Sequence, residues 1–222
     1  METLRDLTDV RALPAAWSSL GDVERPWEAL AWLDAFLAEL EPLLDGSVHP
    51  TAVVEGPLRL EAGASIGPHA YVSGPAWLAA GAAIEHGARV RGGVLMGPGA
   101  KVGHASEVKR AILLEGAKVP HFNYVGDSFL GRHVNLGAGV KCANLKTVGR
   151  GVHVGDVQTG LRKLGAMLGD DVSVGCNAVL APGTLIGPGS VVYANASVRG
   201  VIAPRTLVKV RIQTESVPLR DD

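Results

Sequence analysis

The chain has 222 residues, 47% apolar and 19% charged, with a net charge of −1; this excludes a disordered chain and provides no field to draw nucleic acid or an anionic membrane. Aromatic residues make up only 5% while glycines number 29, so the core must be aliphatic layers joined by tight turns. The two cysteines, Cys142 and Cys176, are too few for a disulfide framework and have no metal-type neighbour at short spacing, which points to reduced thiols in a cytoplasmic protein.

In chain order, METLRDLTDV carries acidic residues and no apolar run, which argues against a secretory leader. No stretch approaches the roughly 20 apolar residues of a membrane span. Residues 1–25 are expected to be irregular. RPWEALAWLDAFLAELEPLL then predicts an amphipathic helix over 26–44, with Pro26 at its first position and Trp27, Leu30, Ala31, Leu33, Leu37 and Leu40 at helical spacing. With a short linker it fills 26–47 and is expected to cap the first coil of the repeating region after it, because an open end exposes strand edges.

From Val48 the chain repeats every six residues: Val48, Val54, Leu60, Ile66, Val72, Leu78, Ile84, Val90, Met96, Val102, Val108 and Leu114. At the bulk apolar fraction such a run has a chance probability on the order of 10⁻⁴ per register. Four places on, the residues are small, as at Ala52, Ala64, Ala70, Ala82 and Ala100. The register returns at Leu168, Val174, Leu180, Ile186, Val192 and Val198, with Val125, Leu130, Leu136 and Cys142 between the runs and one step shortened. The physical reading is a solenoid over 48–204, each hexad a short strand and a turn, three hexads to a triangular coil. About seven or eight coils at the ~4.8 Å strand spacing give a prism ~35–40 Å long. A sandwich would alternate with period two instead. The period does not fix the hand of the coil. One long interruption, 145–167, carries Lys146, Arg150, Arg162 and Lys163 against Asp156 and is expected to protrude as a basic flap over an anionic ligand. Residues 205–222 leave the repeat as a tail.

Candidate chemistry gathers near the middle. Arg91, Lys109 and His121 are 18 and 12 residues apart, close to multiples of the coil and of its six-residue face. Tyr124 and Asn135 come next along the chain. Such residues can converge on stacked coils: cations hold phosphate, and an imidazole accepts a proton near neutral pH.

HFNYVGD, then VNLGAG, then CANL resemble the acetyltransferase domain of the bifunctional glucosamine-1-phosphate acetyltransferase / N-acetylglucosamine-1-phosphate uridylyltransferase family. The resemblance is strongest to archaeal-type sugar-1-phosphate nucleotidylyltransferases with a carboxy-terminal β-helix, above all in TGLRKLGAMLGDDVSVGCNAVLAPGT, and covers roughly residues 26–211. It implies an all-β, left-handed parallel β-helix of hexapeptide repeats that transfers acetyl from acetyl-CoA to the amine of an amino-sugar 1-phosphate, glucosamine or galactosamine. It implies His121 as general base and Asn144 beside the reacting centre. Arg91 and Lys109 match cations on the sugar phosphate, Glu107 an acid near the sugar, and Tyr124 and Asn135 residues that orient it. Ala138, Cys176 and Ala194 match small positions bordering the pantetheine arm, and Arg211 a tail arginine on the CoA phosphates. Family sites lie between subunits of a homotrimer, and acyl transfer requires no metal.

Two departures stand out. The family places lysines in the loop after the asparagine, whereas NLKTVGRGVHV has Lys146 early and Arg150 and His153 later, so the grip on the substrate, with Lys146 in it, is altered. With about 25 residues before the helix, no nucleotidyl transfer is expected. Two other readings stand beside the enzyme. A non-catalytic trimeric scaffold would bind a sugar phosphate for regulation. A zinc site of the γ-class carbonic anhydrase type, from His104, His121 and His133, lacks that family's close ligand pair.

Overall fold

A computed structural model describes residues 3–149, 151–211, 213 and 215 of the chain. Arg150 and the rest of the expected tail lie outside the described residues.

The period of six becomes a left-handed parallel β-helix with three faces. Face three is a sheet of nine strands, from Ser47–Val48 to Leu207–Val208; face one, with Leu58–Leu60, Ala76–Leu78 and Val94–Met96, and face two, with Val53–Glu55, Tyr71–Ser73 and Arg89–Arg91, belong to a second sheet that bends around their shared corner. Nine rungs exceed the expected seven or eight, because the strand pair Leu43–Leu44 begins face one before the periodic run and the last rung reaches past residue 204. Leu60, Val72, Leu78, Val90, Val102, Val108, Val119, Val125, Leu136, Leu168, Val174 and Leu180 line one continuous interior.

The register slips at one corner. Strands Glu107–Leu113 and Tyr124–Leu130 run unbroken from face two into face one, turning at Arg110 and Asp127 with φ of 45° and 47°. The preceding coil uses two glycines there, Gly92 and Gly93. One corner residue instead of two shortens the interior step, so Leu113 rather than Leu114 faces inward after Val108, and Leu130 succeeds Val125 in the same way. Two steps are therefore short where the sequence indicated one. Leu114 is buried, but in a different layer.

That second layer covers the outside of face one. Trp77, Leu95, Ile112, Phe129, Met167 and Leu185 pair in register as an outward-pointing apolar column. The amino-terminal segment lies over it. Residues 3–25 contain three short 3-10 turns, Leu4–Asp6, Val10–Ala12 and Ala15–Asp22, and bury Leu4, Leu7, Trp17 and Leu20. Pro26–Glu28 forms another, braced by the Arg25 N–H donating to Glu28 Oε2 at 3.0 Å, and the helix α1 proper is Ala29–Ala38. The helix ends before residue 44 because the ring of Pro42 excludes Glu41 from the α region. Its Leu30, Leu33 and Leu37 join the column, and α1 packs on strands Glu107–Leu113 and Tyr124–Leu130. It thus lies along the flank of the prism and not over the first coil, where Leu44, Val48 and Val53 stay exposed. The physical reason is area: the flank offers a column of large apolar side chains, each worth about 1.5–3 kcal/mol when buried, and the coil end offers few.

Cys142 is buried in the interior and Cys176 is exposed. Burial pushes the Cys142 thiol up to about 12. An aromatic disulfide reagent at pH 8 is therefore expected to titrate one thiol rapidly in native protein and the second only on unfolding. Two fast thiols would contradict the interior register.

Candidate active site

Two edges of face two carry the residues singled out in the sequence. The first is the corner where face three turns into face two. There the Phe122 N–H donates to His104 O at 3.0 Å, Gly139 N–H to His121 O at 2.9 Å, Asn177 N–H to Ala138 O at 2.8 Å and Asn195 N–H to Cys176 O at 2.8 Å. His104, His121, Ala138, Cys176 and Ala194 consequently stand one above another on successive rungs. With ~4.8 Å between rungs, the small positions extend about 14 Å from the rung of His121. On its other side the edge is crowded: the His86 and His104 rings stack at 5.0 Å and Phe122 meets His104 at 5.4 Å.

The His121 turn is held from beneath by Asn123, which lies within HFNYVGD but has no role assigned by spacing or resemblance. Asn123 is buried; its Oδ1 accepts from the His121 N–H at 2.9 Å, its Nδ2 donates to Gly137 O at 2.7 Å and its N–H donates to Ser106 Oγ at 3.2 Å. The His121 side chain itself is exposed, and no described side chain hydrogen-bonds its ring. His133, by contrast, stands at another corner with Asp171 Oδ1 at 3.3 Å, so it does not share an edge with His104 and His121.

The second edge is the corner from face two into face one. Arg91 Nη1 donates to Glu107 Oε1 at 2.7 Å, and this bond and charge raise the Arg91 pKa. One rung on, the buried Asp127 carboxylate takes Lys109 Nζ and Arg110 Nη1, each at 3.4 Å, and the amide of Asn144. Tyr124 lies across the same strand. Burial first, then the Asp127 carboxylate, raises its phenol, which stays a neutral hydrogen-bonding group at neutral pH. Gly126 makes the cluster possible: a Cβ there would lie 2.6 Å from both Asn144 Nδ2 and Tyr124 OH. Arg91, Glu107, Lys109, Tyr124 and Asn144 are thus assembled by one chain. His121 lies three residues before Tyr124, across the corner that the chain turns at Phe122 with a φ of 53°.

Three expected members stand apart. Asn135 lies on face three, exposed, paired with Lys118 and Ser173. The reason is topological: the Tyr124 strand itself continues through face one, and after the turn at 131–134 the chain has reached face three. Lys146 is exposed and donates from Nζ to Gly151 O at 3.3 Å. Arg211 is exposed beyond the last strand. The interruption after Asn144 is not a flap over face two. Its Val152, Val154 and Leu164 are buried against Met167 and Leu185 in the outer layer of face one, and a small hairpin pairs His153–Val154 with Val157–Gln158. Two hollows stay open along it, one of 580 Å³ lined by Leu145, Lys146, Gly149, Gly151, Gly160 and Arg162, and one of 680 Å³ between Lys146, Val148 and His153 and the rung of Val179 and Arg199.

Comparison with known proteins places the chain beside bifunctional sugar-phosphate enzymes. Residues 72–159 match the family model described as the GMPPB C-terminal domain. A protein of Methanococcus maripaludis, bifunctional protein GlmU, is 44% identical over 190 residues, 84% of this chain and 46% of the relative. The bifunctional sugar-1-phosphate nucleotidylyltransferase/acetyltransferase of Sulfurisphaera tokodaii is 40% identical over 92 residues, 40% of this chain and 23% of the relative.

The similarity to the GlmU protein extends over most of the chain's own length, that to the Sulfurisphaera protein over less than half of it. The chain spans about half the length of the GlmU protein it matches. No described helix is long and apolar enough to cross a membrane, and among the described residues no three His, Cys, Asp or Glu side chains are grouped to hold a metal ion.

Proposed function

We propose that the protein is an acetyl-CoA-dependent N-acetyltransferase acting on an amino-sugar 1-phosphate, working as a homotrimer without a metal. The observation that carries this reading is the pairing of an accessible imidazole, at the head of a column of small residues, with a cationic cluster on the same face. The column Ala138, Cys176 and Ala194 leaves an edge along which a slender pantetheine arm can lie with its thioester near His121. Arg91 and Lys109 are cations for the phosphate, with Glu107, Tyr124 and Asn144 close by for the hydroxyls. Asn135, on face three, serves the site of a neighbouring copy, and Lys146 and Arg211 are left to the phosphates of sugar and cofactor.

The chemistry derives from these positions. An ammonium cannot attack, so the amine must be neutral before its nitrogen lone pair adds to the thioester carbonyl. His121 takes the proton that the nitrogen sheds as the C–N bond forms. Backbone N–H groups of the corner turns supply donors for the oxyanion. Collapse breaks the C–S bond, and the coenzyme A thiolate leaves with a proton. Holding amine and thioester together lowers the barrier further.

The test is release of free coenzyme A thiol from acetyl-CoA with glucosamine 1-phosphate and with galactosamine 1-phosphate. Acetylation of either supports the reading. Binding of the sugar phosphate with no thiol released establishes the scaffold instead, and a monomer by solution mass measurement removes the role given to Asn135.

Gly126 provides an independent check. Gly126→Ala places a methyl against the Asn144 amide and the Tyr124 hydroxyl, both at the ends of movable side chains. The expected result is a loss of about 10- to 100-fold in kcat/KM, the scale of an ångström-level misplacement, with little change in melting temperature. Unchanged kcat/KM would detach Tyr124 and Asn144 from the reaction.

A further inference from the structure

The Asp127 carboxylate is only 2% exposed, sits at a φ of 47° where the strand rounds the corner, and closes HFNYVGD without any role there. Every charged or amide group around it belongs to the candidate site or braces it. Lys109 and Arg110 each approach to 3.4 Å, and the Asn144 amide nitrogen donates to Oδ2. A buried carboxylate without partners is strongly disfavoured, so these groups are held to it as much as it is held by them. The same Asn144 side chain hydrogen-bonds the Tyr124 phenol, which works against the rise that burial and Asp127 impose on it. Arg110 carries the connection outward: its guanidinium grips Asp34 of α1, Nη2 to Oδ2 at 2.6 Å and Nε to Oδ1 at 3.1 Å. The flank helix is thereby tied to the same carboxylate that orients the site.

We propose that Asp127 is a positioning residue that fixes the Asn144 amide and the Lys109 ammonium for substrate, and that the Asp34–Arg110 pair lets α1 brace it. The inference rests on the acetyltransferase reading for its kinetic consequence but not for its structural one. Two measurements keep them separable. In two-dimensional nitrogen–proton spectra of the wild type, the Asn144 side-chain amide, identified by its loss in Asn144→Asp, is expected downfield and slow to exchange, because it donates to a carboxylate. Asp127→Asn is expected to return it to the ordinary range. In steady-state assays Asp127→Asn is expected to lose about 10- to 100-fold in kcat/KM, and Asp34→Asn about 2- to 10-fold with the chain still folded.

An ordinary, fast-exchanging Asn144 amide in the wild type overturns the proposal, and that result needs no variant to fold. So does kinetic loss in Asp127→Asn with the Asn144 signal unmoved, since the carboxylate would then act by some route other than positioning. If wild-type protein releases no thiol from acetyl-CoA, the function fails on its own, and the amide spectrum alone decides whether Asp127 orients Asn144.

Discussion

His121→Ala is expected to lower kcat for acetyl transfer by about 10²- to 10⁴-fold while leaving the melting temperature nearly unchanged. Both halves derive from its position. The imidazole is exposed and hydrogen-bonded by no described side chain, so truncation removes no packing and strands no buried partner. The turn beneath is fixed through the backbone by Asn123, which the substitution leaves in place. What is lost is the proton acceptor at the head of the small-residue column. The variant should recover part of its rate at alkaline pH, where more of the amine is neutral before it binds. KM for the sugar phosphate should change little, because Arg91 and Lys109 are on the opposite edge of the face. The check is a pH series of initial rates with both amino-sugar 1-phosphates. A variant with wild-type kcat across the series would take the base out of the mechanism.

The repeat carries the legible part of the fold. A six-residue period names the inward residue of every strand, and Leu60, Ile66, Val72, Leu78, Ile84 and Val90 are all interior as read. The period is silent where the geometry changes. Arg110 and Asp127 each replace a two-residue corner, and a one-residue deletion in a loose repeat looks like noise until the strands Glu107–Leu113 and Tyr124–Leu130 are seen to pair across it. The outer layer was written in the sequence too, but in a second column. Trp77, Leu95, Ile112, Phe129, Met167 and Leu185 occupy outward positions, and large apolar residues there signal a face covered by something else. That signal explains both the flank helix and the buried part of 145–167, whose Val152, Val154 and Leu164 outweigh its basic residues in deciding where it packs.

The site divides in the same way. The spacing of 18 between Arg91 and Lys109 places them side by side because it equals one coil. Sequence adjacency misled for Asn135: it lies 11 residues beyond Tyr124, yet the intervening turns carry it onto face three. Asp127 and Asn123 stayed hidden because an aspartate or asparagine in a glycine-rich turn is ordinary turn chemistry. Only burial and hydrogen-bond partners separate them from that background.

The largest stability effect falls on the outer layer. Phe129 is fully buried, yet it points away from the coil interior that its neighbour Leu130 enters. Phe129→Ala is expected to cost about 3–5 kcal/mol, the scale for emptying a packed aromatic site. Val191 also points outward but stands on uncovered face three, so Val191→Ala should stay within about 0.5 kcal/mol. The contrast isolates the cover. All four tryptophans, Trp17, Trp27, Trp32 and Trp77, belong to or pack against the flank layer, and none is in the coil interior. Tryptophan fluorescence therefore reports the flank, and far-ultraviolet circular dichroism reports mainly the coil. In urea, Phe129→Ala should lose its fluorescence signal at lower denaturant than its dichroism, because the segment over face one opens before the stacked rungs do. Coincident transitions with an unshifted midpoint would mean that this segment contributes little to stability. The link from Asp34 through Arg110 to Asp127 would then have no firm anchor on its outer side.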